Sequence, residues 1–484
     1  MRQVTITNYE TKVGPSQLRI TKQRQAKCLV ETRRATSLSE QRAISLSEQR
    51  ATSLSEQHAK SLECQMKTRH ATSLLEEWPR HKEGVFPKEK NYEPKVGLSQ
   101  LQKNRMVFVY FFFCVFVLMS ACRGEDEIIP PDVIPVTPPE DDNQALIGFY
   151  LLNEGNMGSN KSTLDYFDYA TGEYHRNIFA AANPSVPKEL GDVGSDLKIY
   201  GGRLYAVINC SNKIEVMDKQ TARRIGQIDI PNCRFIRFHG AFAYVTSYAG
   251  PVEINPNYEQ IGYVAKVDTA TLQVVARCLV GFQPDELAVV GEKIYVANSG
   301  GYRTPNYENT VSVIDIATFK EIKRVEVAVN LYRMLADSQD NLWITSRGNS
   351  LDVPSRLFWM DTKADTCGGM LDIPVSNFCL DGDSLYILSS QWSNYDYDNK
   401  ITYGIVDVAK KQVVARNFIT DGEDSKITMP YGIMVNPVTK DIYLTDAGNY
   451  VYPGVLICFD HTGKKKWQVQ TGDIPAHFAF VYKK

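Results

Sequence analysis

The chain is 484 residues long, has a formal net charge of −2 and is 43% apolar. Residues 1–105 hold 20 Lys and Arg against 11 Asp and Glu, so residues 106–484 carry a net charge of −11. Phosphate binding needs clustered Lys and Arg, so this acidic major part argues against nucleic-acid binding. The ten cysteines include no CxxC pair, which argues against a zinc site.

Residues 1–105 are predicted to form no packed domain. Three copies of an eight-residue repeat, TSLSEQRA, ISLSEQRA and TSLSEQHA, occupy residues 36–59. A period of eight fits neither the heptad nor the eleven-residue coiled-coil pattern well, and the segment has few apolar residues to bury. We interpret it as a disordered extension or as the result of a translation start assigned too far upstream.

Residues 106–121 are predicted to form a secretory signal. An apolar run, VFVYFFFCVFVLMSA, follows two basic residues and is too short for a comfortable membrane span. Its end, LMSAC, resembles a lipobox, although Met119 stands where that motif usually has Leu. The resemblance implies cleavage before Cys122 and lipidation of that thiol. The alternative is an ordinary signal peptide that is cut nearby.

Residues 122–145 are predicted to be a tether between the lipidated cysteine and the folded part. The stretch RGEDEIIPPDVIPVTPPEDDNQ contains five prolines and seven acidic residues. Such a segment is semi-rigid and spans roughly 3 Å per residue where it is polyproline-like. The acidic run after Cys122 also resembles surface-export signals of some Gram-negative lipoproteins, which implies the outer membrane and the cell surface.

Residues 146–484 are predicted to be all-β and to form a seven-bladed propeller. The repeated unit is strand, polar loop, strand, turn, strand, as in KIYVAN at 293–298 and TVSVID at 310–315. A strand-ending aspartate recurs at spacings of 46 to 53 residues, at Asp168, Asp218, Asp268, Asp315, Asp361, Asp407 and Asp460. Self-similarity at this period is typical of propeller blades. Each aspartate precedes a turn and is predicted to cap backbone N–H groups.

The predicted strands are 146–152, 163–168 and 174–179 in the first blade, 195–199, 203–208, 213–218 and 224–229 in the second, 234–238, 241–247, 262–268 and 273–279 in the third, and 285–289, 293–298, 310–315 and 321–326 in the fourth. They continue with 331–336, 341–346, 356–361 and 370–373 in the fifth, 376–381, 384–389, 402–407 and 412–415 in the sixth, and 431–435, 441–446, 455–459 and 464–470 in the seventh. The first blade lacks one strand. The last run, AHFAFVY at 476–482, is therefore predicted to pair there and close the ring, which removes the exposed sheet edges.

One face of the propeller is predicted to carry the function. The loops between the second and third strands share that face with the connections into the next blade, and turns on the opposite face are minimal. Long irregular loops on a rigid scaffold are usual binding elements. The loops in question are 153–162, 209–212, 247–260, 298–309, 346–355, 389–400 and 446–454.

The candidate ligand-binding residues combine aromatic rings with amides, arginines and one carboxylate. Aromatic rings offer a large flat contact area with a polar tip, which suits a bulky amphipathic ligand. For any single tyrosine, packing of one loop against another is the alternative. The candidates are Asn209, Arg234, Tyr248, Asp285, Asn298, Tyr302, Arg303, Arg347, Trp392, Tyr395, Tyr450 and Tyr452.

No catalytic or metal-binding residue is predicted. The chain has no HExxH motif, no nucleophile elbow and no phosphate-binding loop. Of the four scattered histidines in the repeats, His477 lies nearest the predicted ring axis, and a structural role is favoured for it. The predicted entrances of the inner strands do not share one ligand type; they are Arg234, Asp285, Tyr332, Asn377, Tyr431 and His477.

The repeats, with their IYVAN and NTVSVIDIAT patterns, resemble YncE-like seven-bladed propellers across residues 146–482. Together with the lipobox, the tether and the Tyr- and Asn-rich face, they resemble the cobalamin-binding surface lipoproteins of gut Gram-negative bacteria known as BtuG. This resemblance implies capture of cobalamin or another corrinoid and its handover to a TonB-dependent outer-membrane transporter. It implies no cofactor of the protein's own, a lipid anchor in the membrane and a monomeric propeller.

Two other classes of function stay open. One is a surface propeller that binds glycans or proteins, because such proteins also use Trp and Tyr platforms. The other, less favoured, is a propeller lactonase or lyase. Whether Cys210 and Cys233 pair is also open, since both are predicted in loops that could share a face.

Overall fold

The computed structural model describes residues 131–137, 145–186, 189–349, 352–393 and 398–483. They form a seven-bladed β-propeller, as predicted, with seven antiparallel sheets and very little helix. The predicted extension 1–105, the signal segment 106–121 and Cys122 lie outside the described residues. Within the described part, no helix is long and apolar enough to cross a membrane.

The first four blades contain the following strands in chain order. The first has β1 (Asp132–Pro135), β2 (Leu146–Asn153), β3 (Thr163–Asp168) and β4 (Glu173–Arg176), with a short helix α1 (Ile178–Ala182) after it, and the second has β5 (Gly194–Tyr200), β6 (Arg203–Ile208), β7 (Lys213–Asp218) and β8 (Arg224–Asp229). The third has β9 (Cys233–His239), β10 (Phe242–Ser247), β11 (Tyr263–Asp268) and β12 (Gln273–Leu279), and the fourth has β13 (Pro284–Val290), β14 (Lys293–Asn298), β15 (Thr310–Asp315) and β16 (Lys320–Glu326).

The remaining blades follow the same plan. The fifth has β17 (Leu331–Ala336), β18 (Asn341–Ser346), β19 (Arg356–Asp361) and β20 (Thr366–Leu371), and the sixth has β21 (Asn377–Asp381), β22 (Ser384–Ser393), β23 (Asp398–Asp407) and β24 (Gln412–Ala415). A 3-10 turn (Glu423–Lys426) precedes the seventh blade, which has β25 (Pro430–Val435), β26 (Ile442–Asp446), β27 (Pro453–Phe459) and β28 (Lys465–Asp473), and the last strand is β29 (Pro475–Tyr482).

The C-terminal strand β29 closes the ring, as predicted. It pairs antiparallel with β2, with Phe480 opposite Phe149, and becomes the inner strand of the first blade. Because successive strand residues face opposite sides, Phe478 and Phe480 pack into the apolar cluster shared with the seventh blade. Ala479 and Val481 pack into the cluster shared with the second blade.

The hydrophobic core lies between the blades. Seven apolar clusters are present among the described residues, one at each boundary between neighbouring blades. Fully buried aromatic residues such as Tyr205, Tyr295, Trp343 and Tyr443 anchor these clusters. Each blade is therefore apolar on both faces, and every blade depends on its two neighbours.

The first blade has a fifth strand that the sequence analysis did not predict. Residues 132–135, inside the expected tether, form β1 and pair with β4 at the outer edge. Ile134 packs against the cluster between the seventh and first blades. Proline is tolerated in an edge strand because one side of that strand needs no ladder hydrogen bond. The strand covers an edge of β4 that would otherwise be unpaired.

Three other elements differ from the prediction. The predicted strand 174–179 ends at Arg176, and Ile178 and Phe179 belong to the helix α1. Residues 389–393 and 398–400, expected in an irregular loop, instead prolong β22 and β23 into a ten-residue hairpin ladder. The last strand of the fifth blade begins at Thr366 and not at residue 370. The predicted start was late because Gly368 and Gly369 have low strand propensity. They are suited to this place because a Cβ on Gly368 would lie 1.8 Å from the Trp359 ring.

The seven strand-ending aspartates are turn caps, as predicted. In each, one carboxylate oxygen accepts backbone N–H groups from residues two to four positions further on. Asp268, for example, accepts from Ala270 at 3.0 Å and from Thr271 at 2.8 Å. The Thr271 hydrogen bonds lower the pKa of the Asp268 carboxyl below its usual value.

Candidate functional site

The inner strands begin with β-bulges at the end of the axis that carries the long loops. The ladder register shifts near the first residues of β5, β9, β13, β17, β25 and β29. A bulge leaves residues without a direct ladder partner and re-aims their side chains. In β13 the displaced residues are Asp285 and Glu286, and in β17 they are Tyr332 and Arg333.

The carboxylate of Asp285 is fully buried and joins three blades. Its Oδ1 accepts from Arg234 Nε at 3.2 Å and from the Tyr248 hydroxyl at 2.8 Å, and its Oδ2 lies 3.3 Å from Arg347 Nη1. The guanidinium of Arg347 stacks 3.6 Å from the centre of the Tyr332 ring, and that of Arg234 lies 4.8 Å from the centre of the Tyr248 ring. We call these five residues the Asp285 cluster.

The Asp285 cluster carries a net positive charge, because it contains two guanidinium groups and one carboxylate. Burial opposes the charge of Arg234, but its charged surroundings, with the Asp285 carboxylate at 3.2 Å, outweigh burial, so the pKa lies well above its ordinary value. Burial raises the pKa of Tyr248 well above its usual range, so this phenol stays a neutral donor. The side chain of Arg347 is 36% exposed and is thus the charged member that a ligand can reach.

Further along the inner strands, two buried carboxylates and three partly buried cations alternate in sign across four blades. Lys198 Nζ lies 2.9 Å from Asp196, Asp196 lies 2.8 Å from Arg237, Arg237 contacts Glu286, and Glu286 accepts from Arg333 Nε at 2.6 Å. We call this row the inner ion chain. Burial alone raises the pKa of Asp196, but Lys198 and Arg237 outweigh it and hold the pKa well below its usual range.

A cavity of about 90 Å³ opens at the same end of the axis. Its walls include Glu154, Tyr332, Arg333, Tyr431, Tyr450 and His477. Glu154 Oε1 lies 3.0 Å from His477 Nε2, and its Oε2 accepts from the Tyr431 hydroxyl at 2.9 Å. Burial, and then the nearby Glu154 charge, raise the pKa of Tyr431 well above its usual range. We call this space the axial cavity.

The structure brings six of the predicted site residues to this end of the axis. Arg234, Tyr248, Asp285 and Arg347 belong to the Asp285 cluster, and the Tyr302 ring centre lies 6.2 Å from that of Tyr248. Tyr450 lines the axial cavity, with its ring centre 5.9 Å from that of Tyr431. Binding of a ligand by these residues stays a prediction.

Other predicted site residues have structural contacts or lie apart. Asn209 and Asn298 are buried: Asn209 donates to the Cys233 carbonyl at 3.0 Å, and Asn298 donates to Ser312 at 2.9 Å. Arg303 stacks on Phe282, and Tyr452 is 69% exposed at a loop tip. Trp392 belongs to β22, its side chain is outside the described part, and Tyr395 lies outside the described residues altogether.

Tyr450 is the one lining residue of this cavity that was among the predicted site residues; those that were missed include Glu154, Tyr332, Arg333, Tyr431 and His477. Three of these five were recognised as inner-strand entrances without a site role. The sequence feature that could have identified Tyr332, Arg333, Tyr431 and His477 is their position one or two residues inside an inner strand. A bulge at that position turns side chains towards the axis. For Glu154 the sequence gave a weaker indication of a site role, namely that this residue directly follows β2.

Across the part of the chain that the structure describes, no three His, Cys, Asp or Glu side chains are placed to hold a metal ion. Cys210 and Cys233 are both free thiols. Burial raises the pKa of Cys233 to about 12, so this thiol stays protonated.

A family model described as Domain of unknown function (DUF5074) matches residues 147–481. No curated protein sequence matches the chain. Among solved structures, a periplasmic gluconolactonase from Pseudomonas aeruginosa has 13% identity and a TM-score of 0.46, and the match covers 69% of this chain and 99% of that chain.

A quinonprotein alcohol dehydrogenase-like protein from Bacteroides thetaiotaomicron has 12% identity and a TM-score of 0.46, with 70% of this chain and 79% of that chain covered. Apo AztD from Citrobacter koseri has 12% identity and a TM-score of 0.42, and the match covers 70% of this chain and 98% of that chain. At these identities and scores, the similarities carry no inference about activity.

Proposed function

The chain belongs to the family described as Domain of unknown function (DUF5074), and we propose that it is a cell-surface lipoprotein that binds a bulky amphipathic small molecule. Cobalamin is the ligand that we propose first, taken up for transfer to a TonB-dependent outer-membrane transporter. In this proposal the protein is a binding protein and not an enzyme, and the corrinoid is cargo and not a cofactor.

The Asp285 cluster is the observation that carries this proposal. Arg234 and Arg347 are held by one buried carboxylate and lie over tyrosine rings, so their planes are fixed before any ligand arrives. Fixed guanidinium and phenol groups lose little conformational freedom on binding, which favours affinity. Flat surfaces with N–H donors at their edges suit a ligand that has a large ring system and many polar substituents.

Exposed apolar side chains on the loops support an amphipathic ligand. Met157, Ile254, Val451 and Tyr452 are each at least 60% exposed, and all lie in loops between second and third strands. Scattered apolar residues are common on protein surfaces. Here they stand around a charged and aromatic centre, so a ligand on this face would meet polar groups in the middle and apolar groups further out.

The size of the axial cavity decides where such a ligand would lie. Pockets that enclose drug-sized ligands measure roughly 300–1,000 Å³, whereas the axial cavity measures about 90 Å³. A corrinoid is therefore proposed to lie across the loop face and over several blades, with at most one substituent inside the cavity. Such a pose uses contacts from several loops at once.

The hydrogen bonds of the two central carboxylates favour binding over catalysis. A general base must be within reach of the proton that it removes. Asp285 is fully buried, and protein donors occupy both of its oxygens. Both oxygens of Glu154 are engaged as well, by His477 and Tyr431.

Glycan binding is the second candidate, and one observation favours it. The axial cavity combines tyrosine rings with the planar polar groups of Glu154 and Arg333. Tyrosine rings and planar polar side chains also suit the faces and hydroxyl groups of sugars. Calorimetry distinguishes the two candidates, because the first predicts binding of cyanocobalamin and the second predicts binding of a polysaccharide.

Calorimetric titration of the purified full chain with cyanocobalamin tests the proposal. We expect saturable binding at micromolar concentration or below. Arg347→Ala should weaken it by roughly thirtyfold, as truncation of a central anchor worth about 2 kcal/mol does. Lys219→Ala, in a turn on the opposite face, is the control and should leave affinity unchanged. Absence of heat and of competition at micromolar cyanocobalamin would rule out cobalamin, and binding of soluble polysaccharide instead would favour the second candidate.

A further inference from the structure

The axial cavity has more hydrogen-bond donors than the protein itself satisfies. Tyr332 and Tyr450 line it, and no hydrogen bond joins the hydroxyl of either residue to another described residue. Arg333 uses its Nε on Glu286, and among the described residues its two terminal nitrogens have no hydrogen-bond partner. A guanidinium has five N–H donors, so four of those of Arg333 stay available.

A hydrogen-bonded ion pair with Glu286 holds the guanidinium of Arg333 in place. Glu286 Oε2 lies 2.6 Å from Arg333 Nε and also accepts from the Met334 backbone N–H at 2.8 Å. Glu286 in turn contacts Arg237 of the inner ion chain. Because the Glu286 carboxylate is buried, the guanidinium of Arg333 cannot turn away from it without losing a charge-assisted hydrogen bond. Its free N–H groups are thus a fixed feature of the cavity wall.

The charged acceptor of the cavity is already occupied. Glu154 is the carboxylate in the wall, and its two oxygens are engaged by His477 at 3.0 Å and by Tyr431 at 2.9 Å. An occupant therefore has to supply acceptors to match the free donors of Arg333, Tyr332 and Tyr450. A volume of about 90 Å³ admits a small group and no more.

We infer that the axial cavity is a subsite for an oxyanion, namely a carboxylate or phosphate group of the ligand, bound by Arg333, Tyr332 and Tyr450. Arginine with hydroxyl donors is a common arrangement for these groups, because charge-assisted hydrogen bonds are short and strong. The inference deepens and rests on the proposed function, since it assigns one chemical group of the proposed ligand. It is nevertheless testable with small anions alone.

The charge of Glu154 should affect the binding of anions and of cations in opposite directions. Its carboxylate is engaged by His477 and Tyr431, and its negative charge opposes an anion in the cavity. Replacing Glu154 by Gln removes the opposing charge, so it should strengthen anion binding. An amine or another cation would respond in the opposite direction.

Nuclear magnetic resonance of the purified full chain provides the test, with inorganic phosphate, acetate and methylammonium as separate probes at pH 8. We expect phosphate or acetate to bind at millimolar concentration. Tyr332→Phe and Tyr450→Phe, which remove one donor each, should weaken binding by about tenfold, and Glu154→Gln should strengthen it by about tenfold. Tyr482→Phe, an exposed tyrosine at the end of β29, is the matched control and should change nothing.

The probes also identify the source of the anionic group. Tighter binding of phosphate than of acetate indicates a phosphate ester, and the reverse order indicates a carboxylate. Methylammonium binding that Glu154→Gln abolishes, or no response to either anion in folded protein, would overturn the inference. Cyanocobalamin binding without anion binding would refute the subsite alone, whereas anion binding without cyanocobalamin binding would refute only the choice of cargo.

Discussion

The guanidinium of Arg234 on β9 lies 3.2 Å from the carboxylate of Asp285 on β13, and neither group is exposed by more than 11%. This ion pair joins the third and fourth blades at the end of the axis that carries the long loops. Arg347 binds the other oxygen of the same carboxylate from the fifth blade. One buried carboxylate thus fixes the positions of two arginines and connects three blades.

Replacing Asp285 by Asn should destabilise the propeller. The substitution leaves Arg234 buried without its counter-ion, and loss of one partner from a buried pair costs about 3–5 kcal/mol. Urea unfolding measures this change. Glu292→Gln, in an exposed turn of the same blade, is the control and should stay within about 0.5 kcal/mol of the wild type. Equal stabilities of the two variants would contradict the structural role of Asp285.

Alanine substitution of Tyr302, Tyr450 or Trp392 should weaken cyanocobalamin binding and leave folding nearly unchanged. The loss should be about 2 kcal/mol for an aromatic anchor, or roughly thirtyfold in affinity. A large ligand spreads its contacts over several blades, so the combined substitution should do much more than each single one. Calorimetry measures the affinities, with Lys219→Ala on the opposite face as the control. Equal effects from both faces would show that the wrong face has been chosen.

Deletion of residues 475–484 should destabilise the whole ring. It removes β29 and therefore apolar side chains from the clusters on both sides of the first blade. Loss of several buried side chains costs several kcal/mol, which is comparable with the stability of a domain. Thermal unfolding measures the effect. Deletion of residues 131–135 removes only the outer strand β1 and should cost less; a smaller effect of the C-terminal deletion would contradict closure by β29.

The contribution of Asp196 to stability should depend on pH. Its pKa is lowered in the folded protein because Lys198 and Arg237 outweigh the effect of burial. A lowered carboxyl pKa stabilises the folded state fully above the unfolded pKa, about 3.9. That contribution is lost as pH falls towards the folded pKa.

Urea unfolding of the wild type and Asp196→Asn at pH 7, 5, 4 and 3 measures this dependence. The difference in the free energy of unfolding should be constant from pH 7 to pH 5 and should shrink at pH 4 and pH 3. A difference that grows at acidic pH would mean that the carboxyl is not held ionised.

The proposed lipidation of Cys122 predicts attachment of the mature protein to the membrane. The Cys122→Ala protein should lose the acyl chains and should partition into the aqueous phase after detergent phase separation, because a lipid chain contributes about 0.8 kcal/mol per buried CH₂ group. Ser120→Ala, in the same segment, keeps the thiol and is the control. A Cys122→Ala protein that still partitioned wholly with membranes would refute this anchor.

Much of the fold is predictable from local sequence. Strand periodicity, the recurring aspartates and the missing strand of the first blade predict seven blades and closure by the C-terminal run. These features are local because a strand needs only its own alternation of side chains, and a turn cap reaches only a few residues. The start of β20 at Gly368 and Gly369 and the strand β1 among its prolines were not predicted. Their partners, Trp359 and β4, lie elsewhere in the chain.

The sequence by itself therefore determined the blades, their order, the closing strand and the face with the long loops. Tertiary structure alone decided which side chains meet on that face. Arg234, Asp285 and Arg347 are more than 50 residues apart in sequence. Arg234 and Asp285 meet because bulges in successive inner strands turn them towards one axis, and Arg347 reaches the same carboxylate from the loop after β18. Glu154 and His477 meet because ring closure brings the two ends of the propeller together. Such contacts depend on the rotation between blades and on ladder register, and no short stretch of sequence contains either.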